Sequence, residues 1–146
     1  MTPTQTSSTP ETTSVSAPLA SKSTLPPPPT PNADGVRLVN SLNGTTEGSG
    51  FAYFNKAVDG NNGAQPNDFA VAKVGVYAQW ENQNQTGYFE DTNTSFWVLI
   101  NSTNAAVNAA VGEASNGYRN FTAYQDDGRL LYKQDLAEFY GIYYCQ

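Results

Sequence analysis

The side chains that most enzymes use for nucleophilic and metal chemistry are nearly absent from this sequence of 146 residues. It contains no histidine and one cysteine, Cys145. The chain therefore cannot assemble a Ser-His-Asp or Cys-His site, a histidine-based metal site, or a cysteine-rich zinc or iron–sulfur site. We expect no metal site and no cofactor, and only the chemistry of paired carboxylates remains open.

Paired carboxylates would suit glycoside hydrolysis, which needs two Asp or Glu side chains at a suitable separation. The candidates are Glu81, Glu90, Asp91, Asp126, Asp127 and Glu138. Asp126 and Asp127 precede Gly128 between two β-prone runs, a pattern that predicts a hairpin turn instead of a catalytic site. A small carboxylate-dependent, glycosidase-like enzyme is therefore our third choice, after two non-enzymatic functions.

The number of aromatic residues is the feature of the sequence that most suggests a binding function. All 18 lie at or after Phe51, and nine of them are tyrosines. Exposed aromatic rings on a sheet could form flat platforms for sugar rings, and the candidates are Trp80, Trp97, Tyr88 and Tyr124. The competing interpretation is structural, because aromatic side chains are favoured in strands and in cores.

Strands must position these residues. Alternate positions from Phe69 to Glu81 are apolar, which predicts one strand with a buried face that includes Val74 and Val76. Residues 96 to 100 (FWVLI) are apolar throughout and predict a strand covered on both faces. Further short runs complete seven or eight strands and predict an all-β, antiparallel β-sandwich, with a compact β-barrel as the alternative.

One segment predicts a helix. Between Thr103 and Ala114, Ala106, Val107, Ala110 and Val111 follow helical spacing. Ser102 or Thr103 could cap its start, and Asn116-Gly117 could end it. We therefore expect one short helix near residues 103–114.

The first 33 residues differ from the rest. From Thr2 to Asn32 the sequence has eight prolines, eight threonines and six serines. Such a stretch cannot bury enough apolar surface to offset its ordering entropy, so we predict a disordered stalk or linker. Residues 34–146 then form a single β-rich domain.

The charge and the glycosylation sequons indicate which partners and which location suit the protein. The net charge of −6 argues against a nucleic acid partner, and no apolar run is long enough to insert into a membrane. Asn-X-Ser/Thr sequons occur at Asn43, Asn84, Asn93, Asn101 and Asn120. They favour a secreted or cell-surface glycoprotein, although no signal peptide begins this chain.

Cys145, a single thiol, suggests either an intermolecular disulfide or a free thiol, and a free thiol would also suit a cytoplasmic protein.

Two non-enzymatic functions follow from these patterns. The first is a structural or adhesive surface module that acts through contacts with other surface proteins or through self-association. The second is a carbohydrate-binding module that uses exposed aromatic rings to bind glycans.

Overall fold

The computed structural model describes residues 35–55, 63–103 and 105–146. They form nine strands: β1 (Gly35–Asn43), β2 (Thr46–Phe54), β3 (Asp68–Val74), β4 (Asn84–Phe89), β5 (Thr94–Ile100), β6 (Ala110–Ser115), β7 (Asn120–Gln125), β8 (Leu130–Gln134) and β9 (Ala137–Cys145). The predicted disordered stalk, residues 1–33, lies outside the described residues.

The strands form one sheet in the order β3-β2-β1-β9-β7-β6-β5-β4, and β8 pairs with β9 beside β7. Every strand pair is antiparallel. The sheet curls until its first and last strands, β3 and β4, lie against each other, although no ladder joins them. The all-β prediction is confirmed, and the architecture is a nearly closed, antiparallel, barrel-like sheet. We call the contact between β3 and β4 the seam.

The concave face of the sheet encloses the main core. In β5 the side chains of Phe96, Val98 and Ile100 are buried, while Trp97 and Leu99 on the opposite face are only half-buried. The strand therefore alternates in burial and is not covered on both faces as its apolar run predicts. The ring of Phe51 packs against Phe96, with ring centroids 5.4 Å apart.

A second apolar cluster covers the outer face where β8 adds to β9. It consists of Val39, Ala52, Phe54, Leu131 and Tyr132, with Phe69 and Phe139 packed against it. Because β1 lies between the two clusters, its first five residues are all buried. This is why residues on both faces of β1 are inaccessible even though the sheet is a single layer.

The predicted helix near residues 103–114 is wrong, because the described part of this segment contains no helical residue. Val107 and Asn108 form a turn, and β6 begins at Ala110. Asn108 adopts a left-handed conformation with φ of 71°, and its N–H donates to the carbonyl of Gln125. Pairing of β6 with both β5 and β7 thus overrides the helical preference of the alanines.

The hairpin expected at Asp126-Asp127-Gly128 is also wrong. Strands β7 and β8 do not pair with each other, because both pair with β9, at its end and its start respectively. The N–H of Asp126 donates to the carbonyl of Ile142, and the N–H of Gly141 donates to the carbonyl of Arg129. These two bonds hold both ends of the loop against β9, so the chain continues in its original direction.

The strand predicted from Phe69 to Glu81 is too long. β3 ends at Val74, and Gly75 turns the chain with φ of 86°. Val74, just before this turn, and Val76, just after it, are exposed instead of buried, whereas Ala78 and Trp80 of the same alternate set are buried as expected.

Candidate functional site

The four aromatic residues proposed as sugar platforms lie in three different places. Trp80 is 2% exposed in the main core, where its Nε1–H donates to Asn40 Oδ1 at 3.0 Å. Its ring also meets Phe51 edge-on, with centroids 5.5 Å apart. Trp80 is therefore a core residue that no ligand reaches in this structure.

Tyr124 belongs to a separate aromatic pair. Its ring stacks on Tyr144 with centroids 5.1 Å apart and an interplanar angle of 22°. Arg37 lies over the other ring of this pair at 5.2 Å, and the hydroxyl of Tyr144 donates to Asn108. Tyr124 thus covers a buried polar network instead of presenting a free platform.

Tyr88 and Trp97 do share a face. Trp97 lies opposite Thr86, and Tyr88 lies opposite Ser95, so the two rings are diagonal neighbours on the outer face of β4 and β5. Tyr88 is 47% exposed and Trp97 is half-buried. This is the only pairing among the four candidates that the described strands bring together.

The exposed apolar side chains concentrate at the seam. Five of the nine large hydrophobic residues exposed within the described ranges lie between residues 71 and 88. We call them the seam surface: Val71, Val74, Val76, Tyr77 and Tyr88. The alternation of apolar residues predicts Val74 and Val76 to be buried, so this surface could not be recognised from the sequence; it depends on which strands end the sheet.

An acidic cleft adjoins one end of the seam surface. Its volume is about 480 Å³, and it is lined by Asp68, Phe69, Val71, Tyr88, Glu90 and Asp91. Two residues considered for a catalytic pair, Glu90 and Asp91, therefore meet here. Asp68 Oδ1 accepts the N–H of Phe69 at 2.8 Å.

The other carboxylates considered for catalysis have structural partners. Glu81 accepts a hydrogen bond from the Tyr143 hydroxyl, and burial together with this bond raises the pKa of Tyr143. Glu138 accepts from the Tyr140 hydroxyl at 3.0 Å and lies 3.6 Å from the Lys133 ammonium. Glu81 lies before β4 and Glu138 lies near the start of β9, five residues before Tyr143, so the two carboxylates have separate partners and do not form one site.

Asp126 and Asp127 contact arginines. Asp126 is buried, with Arg129 at 2.7 Å and Arg37 at 3.5 Å. Asp127 is more exposed and lies 3.0 Å from Arg129. Partial burial opposes the shift, but the hydrogen bonds and charge of Arg129 lower the pKa of Asp127. The pair of acids is thus explained by ion pairing that holds the loop in place.

All five sequon asparagines are exposed. Asn43 ends β1, Asn84 begins β4, Asn93 lies in the turn after β4, Asn101 follows β5, and Asn120 begins β7. None lies on β2, on β3 or in the connection from Gly75 to Tyr77. Glycans at these positions would leave the β3 side of the seam surface uncovered.

Cys145 is a free thiol with no exposed surface. It lies in β9 between Val36 of β1 and Ala123 of β7. Burial raises the pKa of this thiol. A disulfide to another chain would therefore require the end of β9 to leave the sheet.

No three His, Cys, Asp or Glu side chains in residues 35–55, 63–103 and 105–146 form a group that could hold a metal ion. The same residues contain no helix with the length and apolarity needed to cross a bilayer.

No protein-family model, curated protein or solved structure matches this chain. Its function must therefore be inferred from its own surfaces.

Proposed function

We propose that this chain is a non-enzymatic, extracellular or cell-surface module, a compact β-barrel that acts through protein contacts, first of all with a second copy of itself. The observation that carries the proposal is the seam surface, whose five exposed apolar side chains lie on β3, on β4 or in the connection between these two strands, which end the sheet. Contiguous exposed apolar surface is uncommon on monomers and marks interaction sites. Strand edges without partners also invite pairing with another chain.

The charge distribution favours a second copy as the partner. The chain carries a net charge of −6, which would oppose self-association over most of its surface. From Phe69 to Trp80, however, the only charged residue is Lys73. Two copies that meet through residues 74–80, which carry no charge, would therefore bury apolar side chains while the acidic cleft stays outside the centre of the contact.

The extracellular location rests on the sequons. All five asparagines are accessible to a glycosylation enzyme, and none lies on β3. Glycans there would keep most of the surface hydrated while β3 stays free for contact. The experiment is the intact mass of the protein from its native source before and after enzymatic deglycosylation, and an unchanged mass would refute the N-glycoprotein assignment.

Sedimentation of the full chain tests the contact surface. We expect the sedimentation coefficient to rise with protein concentration, and the substitutions Val74→Lys and Val76→Lys to abolish this rise. Val74 and Val76 are 82% and 56% exposed, so neither change should disturb the core.

The matched control is Val107→Lys. Val107 is also an exposed valine, at 44%, but it lies in the turn before β6 and away from the seam. This variant should associate like the unmodified chain. A monomer at every concentration, or equal effects of the lysines at all three sites, would refute the seam as the self-contact surface.

Carbohydrate binding is the second candidate, favoured by the diagonal placement of Tyr88 and Trp97 on one outer face. Thr86 and Ser95, the residues opposite them, supply hydroxyl groups beside the rings. A glycan array probed with the chain and with Trp97→Ala separates the two functions, because Trp97 is not part of the seam surface. Binding that Trp97→Ala removes, while sedimentation is unchanged, would support the carbohydrate site.

A further inference from the structure

A small apolar cavity opens at the end of the barrel where β1 and β7 begin and β4 ends. Its volume is about 130 Å³, and the lining residues are Val36, Tyr53, Phe89, Thr92, Thr94, Phe96, Asn116 and Phe121. None of them belongs to the seam surface. A ligand here would therefore be independent of the proposed protein contacts.

The wall of the cavity is built from packed aromatic rings. Phe89 and Phe96 meet edge-on with centroids 6.3 Å apart, and Phe96 meets Phe121 at 5.6 Å. Tyr53 contacts Phe89 at 6.2 Å, and the Arg119 guanidinium lies 4.4 Å from the Phe121 centroid. Because these rings pack against one another, and Phe96 and Phe121 also contact Phe51 and Arg119 outside the cavity, the wall is preformed and does not need to rearrange around a ligand.

The size of the cavity selects a single ring. An apolar protein cavity of about 150 Å³ stays free of water and binds benzene. The present cavity is slightly smaller and opens at one end, so one six-membered ring fills its enclosed part. Phenylalanine walls also offer edge-to-face contacts to an aromatic guest.

The mouth of the cavity is polar. Asn116 Oδ1 already accepts the N–H groups of Tyr118 and Arg119, at 2.9 and 2.8 Å, which leaves its amide Nδ2 as a donor. Thr94 Oγ1 donates to the carbonyl of Thr92 at 3.0 Å and keeps the capacity to accept. A hydroxyl group, which both donates and accepts, matches this pair.

We propose that this cavity is a binding site for a small neutral molecule of the phenol class. The ring lies among Phe89, Phe96 and Phe121, and the hydroxyl lies at the mouth beside Thr94 and Asn116. Burial of the ring supplies the affinity, and the hydroxyl contacts set the orientation.

The test is a titration of the full chain with phenol and with benzene, followed through the methyl NMR signals of Val36 and Thr94. We expect saturable shifts of both signals with either compound. Phenol should bind about fivefold more tightly than benzene, the effect of about 1 kcal/mol from one net hydrogen bond.

Two matched substitutions decide whether the cavity is the site. Val36→Leu adds a methylene to a lining residue, and we expect it to weaken phenol binding at least tenfold. Val111→Leu makes the same change at a buried valine that does not line the cavity, and it should change affinity less than twofold. Absence of saturable shifts at Val36 and Thr94, or equal weakening by the two variants, would overturn the proposal.

Discussion

The buried ion network beneath the loop of Asp126 offers the sharpest test of the fold. The Asp126 side chain is 3% exposed and lies between Arg129, at 2.7 Å, and Arg37, at 3.5 Å. Arg37 is itself 8% exposed at its side chain. The substitution Asp126→Asn keeps the size of the side chain but removes its charge, so two arginines lose their shared buried counter-charge.

The size of the destabilisation expected from Asp126→Asn follows from the burial of its ion pairs. Breaking a buried ion pair by removing one partner costs about 3–5 kcal/mol, because the remaining charge stays desolvated. Domains of this size have unfolding free energies of about 5–15 kcal/mol, so the loss is a large share of the total. At about 4 °C per kcal/mol for a domain of this size, the melting temperature should fall by about 12–20 °C.

Asp127→Asn is the matched control. Asp127 is adjacent in sequence and also contacts Arg129, at 3.0 Å, but its side chain is 44% exposed. Exposed ion pairs contribute about 0–1 kcal/mol, so this variant should unfold close to the unmodified chain. Urea unfolding followed by circular dichroism gives the free energies of both variants.

A comparison of the two variants can refute the reasoning. If Asp126→Asn and Asp127→Asn lose equal stability, or if both lose less than about 1 kcal/mol, the network does not stabilise the fold as described. The double variant Arg37→Met, Asp126→Leu adds a second check, since apolar residues that replace a buried pair should recover most of the lost stability.

Three further predictions concern buried hydroxyl and thiol groups. Tyr132→Phe should raise the free energy of unfolding in urea by about 1 kcal/mol, because the Tyr132 hydroxyl is buried without a hydrogen-bond partner. Tyr144→Phe should lower it by about 1 kcal/mol, because it removes the hydrogen bond to Asn108. A Tyr144→Phe variant more stable than Tyr132→Phe would contradict this. Burial and the nearby Asp126 charge raise the pKa of Tyr144 to about 12 from 10.0. The folded state then holds this proton more tightly than the unfolded state. The contribution of Tyr144 to the free energy of unfolding should therefore be fully present below pH 10 and decrease as the pH rises to about 12. A free energy of unfolding that stays constant over this range would contradict the prediction. Cys145 should react with Ellman's reagent only in denaturant, and rapid labelling of the folded chain would show that the end of β9 opens.

Much of the fold could be predicted because strands have local sequence patterns, such as alternating apolar residues. The alternation in β3, the apolar run of β5 and the β-prone runs of β7 and β8 were each recognised as strands from their residues. The errors have one cause in common. Partner strands decided where β3 ends, kept residues 110–115 in β6 instead of a helix, and turned the expected hairpin into a loop along β9.

The candidate site was less predictable than the fold. Of three aromatic candidates, Tyr88 is exposed, Trp80 belongs to the core and Tyr124 belongs to a stacked pair. The composition could not separate these cases, because an aromatic side chain favours both a core and a binding surface. The cavity among Phe89, Phe96 and Phe121 joins residues from three strands, so no local pattern indicated it.

The sequence by itself determined the chemistry that this chain lacks, its strand-forming character and its sequons. These properties depend on which residues are present and on alternation within a few residues. Only the tertiary structure decided that β9 is flanked by β1 on one side and by β7 and β8 on the other, that Cys145 is sealed inside, and that apolar side chains remain exposed along the seam. Burial depends on which strands become neighbours, and this pairing joins residues that are distant in the sequence.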